Sequence, residues 1–250
     1  MTELDLIVDF HKNAERQGPG SREETLRAFE LTGVNRNQSL KIADMGCGTG
    51  AHTLDLAQYT HAHIIGVDLF PAFLDQLDHN AKEMGLQDQV TTLEKSMDDL
   101  SFDYEEFDLI WSEGAIYNMG FEAGIKYWKD YLKTGGCLCV SEITWITDSR
   151  PAELEDFWLQ EYPEVDKASH KIKLLENYGY TLLGYFYLKQ DSWIDNYYKP
   201  MEKRFANFLE RHSHSDTAKA VVKEYKDEIK HYMTYKDYYS YGFYIARKDR

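Results

Sequence analysis

An α/β fold built on a mostly parallel sheet follows from three stretches of the sequence. Leu40 to Gly50, LKIADMGCGTG, runs from a short apolar strand into a loop with glycines at 46, 48 and 50, and Ala51 to Gln58 continues as a helix. HAHIIGVDLF repeats the buried-strand pattern and ends at Asp68 before Pro71 opens the next helix. Cys137 to Trp145 is nearly continuous in apolar residues, as a central parallel strand is when helices cover both faces of its sheet. Strands alternating with helices in this way predict a layered α/β domain.

The outer bounds agree with this class. At 250 residues the chain can bury a large core as one α/β domain with a helical insert, or as two small domains. A formal charge of −15 and a pI of about 5.0, with no cluster of Lys and Arg, argue against a nucleic-acid partner, because neutralising phosphates supplies most of that affinity. Mean hydropathy is −0.59 and no apolar run is long enough to span a bilayer, so stable membrane insertion is not expected. The start, MTELDLIVDF, lacks a basic region followed by an apolar stretch, and three cysteines make no disulfide framework. The expectation is a cytoplasmic protein. Cys137 and Cys139, two apart on a strand, are expected to share one buried face.

The glycine loop carries the first chemistry. A strand, a glycine turn and a helix N-terminus together make an anion site, with backbone N–H groups facing out and room for close approach of a ligand. Its spacing is GxGxG, preceded by Asp44, and not the GxGxxG of a dinucleotide site. Asp68 follows Gly46 by about twenty residues, the offset at which an acid accepts hydrogen bonds from ribose hydroxyls.

An acid before the loop, three alternate glycines and an acid closing the next strand resemble the class I S-adenosylmethionine-dependent methyltransferases. The likeness runs from about Leu40 to Ile146 and is similar to the small-molecule branch typified by ubiquinone and menaquinone biosynthesis. That resemblance implies a Rossmann-like sheet of seven strands, mostly parallel, with an antiparallel last strand, and S-adenosylmethionine as cofactor. It implies that Gly46, Cys47 and Gly48, in the loop completed by Gly50, face the methionine end of the cofactor, and that Asp44 supports this loop. Asp68, with Leu69 beside it, would take the ribose hydroxyls, and Ser96 and Met97 would flank the adenine. The family usually carries an acid where this chain has Ser96, so Ser96 through its hydroxyl, Met97 through its backbone, or Asp98 are the alternatives for adenine recognition.

Before the loop, Leu4 to Glu15 reads as an amphipathic helix with Leu4, Ile7, Val8 and His11 on one side. Gly18-Pro-Gly-Ser21 follows, and Ser21 with Glu24 has the capping-box spacing for a second helix. Residues 1–37 form a leader that either turns tightly between helices or folds over the cofactor, as similar leaders do in some small-molecule methyltransferases, with Arg16 and Gln17 contributing to affinity. Helical spacing from Phe73 to Met84, a strand from Gln89 to Ser96, a strand from Phe107 to Ser112, a helix from Phe121 to Leu132 and a helix after Pro151 complete the pattern. A helix from Ser169 to Asn177 and a strand from Thr181 to Lys189 follow. The methyltransferase core is thus assigned to residues 38–189 and 240–250, and residues 190–239, longer than the usual connection between the last two strands, form a helical cap.

Strand ends at Gly46, Asp68, Ser96 and Glu113 are expected to converge on one crevice. Glu113 is placed there as a cofactor contact or as the base that exposes a lone pair on the acceptor, with Tyr117 beside it. Tyr117, Trp145, Trp193 and Tyr197 are the candidates for the acceptor pocket. No Asn-Pro-Pro-Tyr or Pro-Cys sequence is present, which argues against amide, exocyclic-amine and cytosine C5 methylation. His212 and His214 have no third ligand nearby, so no metal is expected. The expected activity is in-line methyl transfer to a small-molecule acceptor, by a chain that acts alone or as a homodimer. A cofactor-binding but inactive regulatory protein and a nicotinamide-dependent oxidoreductase are the competing readings.

Overall fold

A computed structural model describes residues 2–249. The leader holds α1 (Glu3–His11) and α2 (Arg22–Leu31). The first part of the core runs β1 (Ser39–Met45), α3 (Ala51–Tyr59), β2 (His61–Asp68), α4 (Pro71–Glu83), β3 (Val90–Glu94), β4 (Phe107–Glu113), α5 (Phe121–Trp128) and β5 (Leu132–Trp145). Then come α6 (Ala152–Glu161), the two-residue β6 (Asp166–Lys167), α7 (Ala168–Asn177) and β7 (Tyr180–Tyr187). The insert is α8 (Gln190–Trp193), a π-helical turn (Ile194–Tyr198), α9 (Lys199–Arg211) and α10 (Asp216–Tyr235), and β8 (Tyr239–Lys248) follows it.

The main sheet has the order β3-β2-β1-β4-β5-β8-β7, with β6 paired to β5 off this path. Pairs among β1 to β5 are parallel, while β8 runs antiparallel to both β5 and β7. The mostly parallel sheet, its antiparallel last strand and the long helical insert before that strand are as the sequence predicts. One face of the sheet buries Ile42, Leu54, Leu77, Trp111 and both Cys137 and Cys139, which do share a side. Its other face buries Ala43, Ile110, Phe121, Trp128 and Tyr244. A third core, with Leu6, Phe10, Trp145, Trp193, Phe208 and Tyr232, lies under the insert.

Several local expectations change. The first helix stops at His11 and not at Glu15, because the chain turns there: Ala14 donates its N–H to the His11 carbonyl at 2.8 Å. Its buried face is Leu6, Phe10 and His11, whereas Leu4 is exposed, since the stripe that meets the insert sits two residues later than Leu4. Ser21 caps α2, but Glu24 does not reach back to complete a box. Its carboxylate accepts from the Ser21 hydroxyl at 2.9 Å but not from the Ser21 N–H, and also from the Lys189 N–H at 2.9 Å and the Ser192 hydroxyl at 2.6 Å, tying the leader to the insert. The helix from Phe121 ends at Trp128, and Lys129–Tyr131 tightens into a 3-10 turn because Leu132 already pairs with Phe107 as the start of β5. The third strand is shorter than expected, and the strands around the insert begin and end within two residues of expectation.

Candidate active site

Strand order reverses between β1 and β4, so the loops that follow these strands part and leave a crevice at their carboxyl ends. One cleft of about 440 Å³ opens there. Gln17, Gly46, Cys47, Gly48, Asp68, Leu69, Ser96, Met97, Glu113 and Tyr117 all line it. Asp44 and Gly50 are buried behind its wall, while Trp145, Trp193 and Tyr197 belong to the core under the insert.

The glycine loop is built for close approach, but it offers no cradle of free amides. Gly46 and Cys47 both donate N–H to the Val67 carbonyl, at 2.8 and 3.0 Å. Gly48 donates to Asp68 Oδ2 at 2.9 Å, Thr49 to Gln17 Oε1 at 3.0 Å, and Gly50 to the Cys47 carbonyl at 3.0 Å. The loop itself therefore offers no free amide to an anion, because each N–H from Gly46 to Gly50 is spent within the protein. The Gly46 carbonyl, by contrast, accepts no hydrogen bond among the described residues. An acceptor oxygen suits an ammonium group and not a phosphate. Glycine is required at 46, where φ is +73° and a Cβ would stand 2.4 Å from the Cβ of Ala115.

Behind the loop, Asp44 is fully buried and wholly engaged. Oδ1 meets His52 Nε2 at 3.0 Å and Oδ2 accepts from the Thr53 hydroxyl at 2.5 Å, so the acid locks the start of α3 to the end of β1. Burial works against protonation of His52, but the carboxylates of Asp44 and Glu113 outweigh it and raise its pKa. Asp68 closes β2 with both oxygens fixed, Oδ2 on the Gly48 N–H and Oδ1 on the Phe70 N–H at 3.0 Å. Burial pushes its pKa up against these two bonds, and each oxygen keeps acceptor capacity for a further donor.

The leader closes the cleft. Gln17 donates from Nε2 to the Thr49 hydroxyl at 2.8 Å while Oε1 accepts from the Thr49 N–H, so one amide clasps the glycine loop twice. Arg16 Nη2 pairs with Asp55 at 3.1 Å, and Nη1 stands 3.7 Å from Glu113 Oε2. Glu113 Oε1 accepts from the Thr25 hydroxyl at 2.7 Å and from Trp111 Nε1 at 2.9 Å. Both oxygens of this acid are thus occupied by leader and strand groups.

At the far end, the Ser96 hydroxyl donates to Asp98, and both line the cleft. Met97 is held by its carbonyl, which accepts from Trp128 Nε1 at 2.9 Å. Sequence reasoning missed His52, Lys95, Phe70 and Phe73 on the cleft wall. His52 carried a readable signal, being the second residue of the helix that the glycine loop opens. Among the described residues no cluster of His, Cys, Asp or Glu could hold a metal ion, and no helix is long and apolar enough to cross a membrane.

Comparison with known proteins agrees with this geometry. Residues 42–136 match a family described as Methyltransferase domain. The sterol 24-C-methyltransferase of Candida albicans is 25% identical over 150 residues, covering 59% of this chain and 39% of that protein. The chain spans about two fifths of the length of the first curated relatives it matches. Among solved structures, a methyltransferase from Geobacter sulfurreducens in complex with S-adenosyl-L-homocysteine superposes with a TM-score of 0.84 at 17% identity, covering 97% of each chain. The [4+2]-cyclase SpnF superposes at 0.77 with 19% identity, covering 98% of this chain and 93% of its own, so the shared fold does not by itself fix the reaction. Core sequence, strand order and cleft thus agree: residues 42–136 are similar to a methyltransferase domain, and the whole chain has the Rossmann-like fold of solved methyltransferases.

Proposed function

We propose that the protein transfers a methyl group from S-adenosylmethionine to a small-molecule acceptor held beneath the insert. The observation that carries this reading is the pairing of a glycine loop whose amides are all spent with a carboxylate, Asp68, fixed at the end of the neighbouring strand. A pyrophosphate needs free amides, so the loop disfavours a dinucleotide. An aminoacyl end and a ribose need acceptors, and the Gly46 carbonyl and Asp68 supply them. When bound, the cofactor supplies a methyl group already activated by its sulfonium.

The chain's own residues then have three tasks. Asp68 takes the ribose hydroxyls through its remaining lone pairs, oriented by the Gly48 and Phe70 amides. Met97 and the Ser96–Asp98 pair border the adenine, with Asp98 supplying the carboxylate that Ser96 lacks. Gln17 and Arg16 hold the leader shut, which keeps the reacting groups aligned and dry, and alignment alone removes several kcal/mol of barrier. Glu113, engaged by Thr25, Trp111 and Arg16, is better suited to fastening the leader than to receiving a proton. Tyr117, on the rim between cleft and insert, faces the acceptor. Three free cysteines, all buried, support a place in the cytoplasm.

Calorimetric titration tests the reading directly. S-adenosylhomocysteine should bind and NAD should not. Asp68→Ala should weaken S-adenosylhomocysteine by about 2 kcal/mol, because a charge-assisted partner is lost. An unchanged dissociation constant would overturn the assignment.

A further inference from the structure

Where the leader meets the insert, a cavity of about 280 Å³ opens between α1 and α9. The leader gives its wall Asp9 and Asn13, and α9 gives it Lys203, Arg204, Asn207 and Arg211. None of these six borders the cofactor cleft.

Arg204 is the unanswered charge of this wall. Its guanidinium stands 5.0 Å over the Phe10 ring, and Nε and Nη2 are closed off from solvent with no hydrogen-bond partner. Nη1 is not closed off and also has no partner among the described residues, so it is the tip that a guest in the cavity meets. Arg16, Arg22, Arg150 and Arg211 all have carboxylates within ion-pair distance, whereas Arg204 has none among the described residues. The groups that bear on it are Tyr197 and Tyr225, phenols that burial keeps protonated. His11 also lies close, and burial, followed by the Arg204 charge, holds its pKa down to about 4. The wall's own carboxylate is already spent, because Asp9 meets Arg211 at 2.6 Å, Lys12 at 2.7 Å and His212 Nε2 at 2.8 Å. Lys203 has no ion pair among the described residues, and Asn207 accepts from Arg211 through Oδ1 while its amide N–H groups stay unused.

A largely buried cation without a partner is costly, and a bound anion removes that cost. Lys203, Arg204 and Arg211 set against Asp9 leave the wall with an excess of two positive charges, in a chain whose formal charge is −15. We propose that this seam between leader and insert is a binding site for a phosphate group, held by Arg204 and Lys203 with the Asn13 and Asn207 amides at its edge. A phosphate carries close to two negative charges near neutral pH, which matches the excess better than a carboxylate or a chloride does. Guanidinium and ammonium groups hold phosphate oxygens through charge-assisted hydrogen bonds. Because the wall is shared, the bound group joins α1 to α9. The site stands apart from the cleft and does not depend on the methyltransferase reading.

The test titrates the full chain with inorganic phosphate, and with sodium chloride at matched ionic strength, by calorimetry and by thermal melts. Phosphate should bind saturably and raise the melting temperature, as any ligand of the folded state does, while chloride should do neither. Arg204→Gln should weaken phosphate by about tenfold or more, since a charge-assisted contact is lost. Lys203→Gln should weaken it by about threefold, as an exposed charge contributes less. Lys203 is exposed, so that variant should melt like the parent in chloride, and it decides the matter alone if Arg204→Gln fails to fold. Glycerol 2-phosphate as a further probe separates two sources of the same group: tighter binding than inorganic phosphate names a monoester as the guest, and weaker binding names free phosphate. A chloride response equal to that of phosphate, no saturation, or parental phosphate affinity in the variants would each overturn the proposal.

Discussion

The cofactor half and the insert half of the molecule hold their charged groups by opposite means. Around the glycine loop every acid has a named partner: Asp44 holds His52 and Thr53, Asp68 holds two amides, and Glu113 holds Thr25, Trp111 and Arg16. Around the insert, Glu142 Oε2, His11 Nδ1, Tyr232 Oη and the Arg204 guanidinium have buried polar atoms without one. A satisfied network fixes a single geometry, while unsatisfied buried groups await something else. The half around the glycine loop is pre-set, and the half under the insert is not.

The largest expected effect separates the two halves by packing. Phe208 on α9 is fully buried and meets Phe10 edge-on at 5.1 Å. Phe208→Ala should cost about 4 kcal/mol of stability in a denaturant melt. S-adenosylhomocysteine affinity, measured where the variant is still folded, should stay within a factor of two or so of the parent. A tenfold loss of affinity would mean that Phe10 transmits the insert's packing along the leader to the cleft, and the contrast between the halves would fail.

A second test asks whether the unpaired acid of the insert half costs stability. Burial pushes the Glu142 pKa from 4.5 up to about 8, against the pull of Lys171. A raised carboxyl binds its proton more tightly in the folded protein than in the unfolded chain. Its contribution is therefore fully present below 4.5 and is lost as pH rises toward 8. Lys171, lowered by the same burial, works in the opposite sense. Glu142→Gln, which cannot ionise, should gain on the order of 2 kcal/mol relative to the parent between pH 5 and pH 8. Melts at a series of pH values that run parallel for the two proteins would show that Glu142 does not titrate in this window.

How far each half could be read from the sequence follows from the same contrast. The cofactor half rests on short spacings, a glycine loop between strand and helix and an acid at the next strand end, and these suffice to predict Gly46, Asp68, Ser96 and Glu113 on one cleft, which all four line. What was not legible there is the direction of the loop amides, because their partners, Val67 and Gln17, lie about twenty to thirty residues away. The insert half showed only a helical stripe and a run of aromatics. That Tyr225 of the insert would meet His11 of the leader at 2.8 Å depends on a contact more than two hundred residues apart, which no local pattern encodes. Leu4 failed as a core residue for a similar reason: only the insert, folded back over α1, decides which stripe of that helix is covered.

The smallest effect tests the one element that belongs to both halves. α1 packs under the insert through Leu6 and Phe10, while Gln17, a few residues on, clasps Thr49 of the glycine loop. If the leader is a strap over the cofactor, Gln17→Ala removes the two hydrogen bonds to Thr49 that hold it down, one of them donated by the Thr49 backbone N–H. S-adenosylhomocysteine should then bind about 1 kcal/mol more weakly, with little change in melting behaviour, since a neutral side-chain hydrogen bond contributes about that much. The loss should appear mainly as faster dissociation in stopped-flow displacement, because a strap acts on escape and not on encounter. Equal dissociation rates for variant and parent would place Gln17 in the scaffold and leave the cofactor half closed by Arg16 and Glu113 alone.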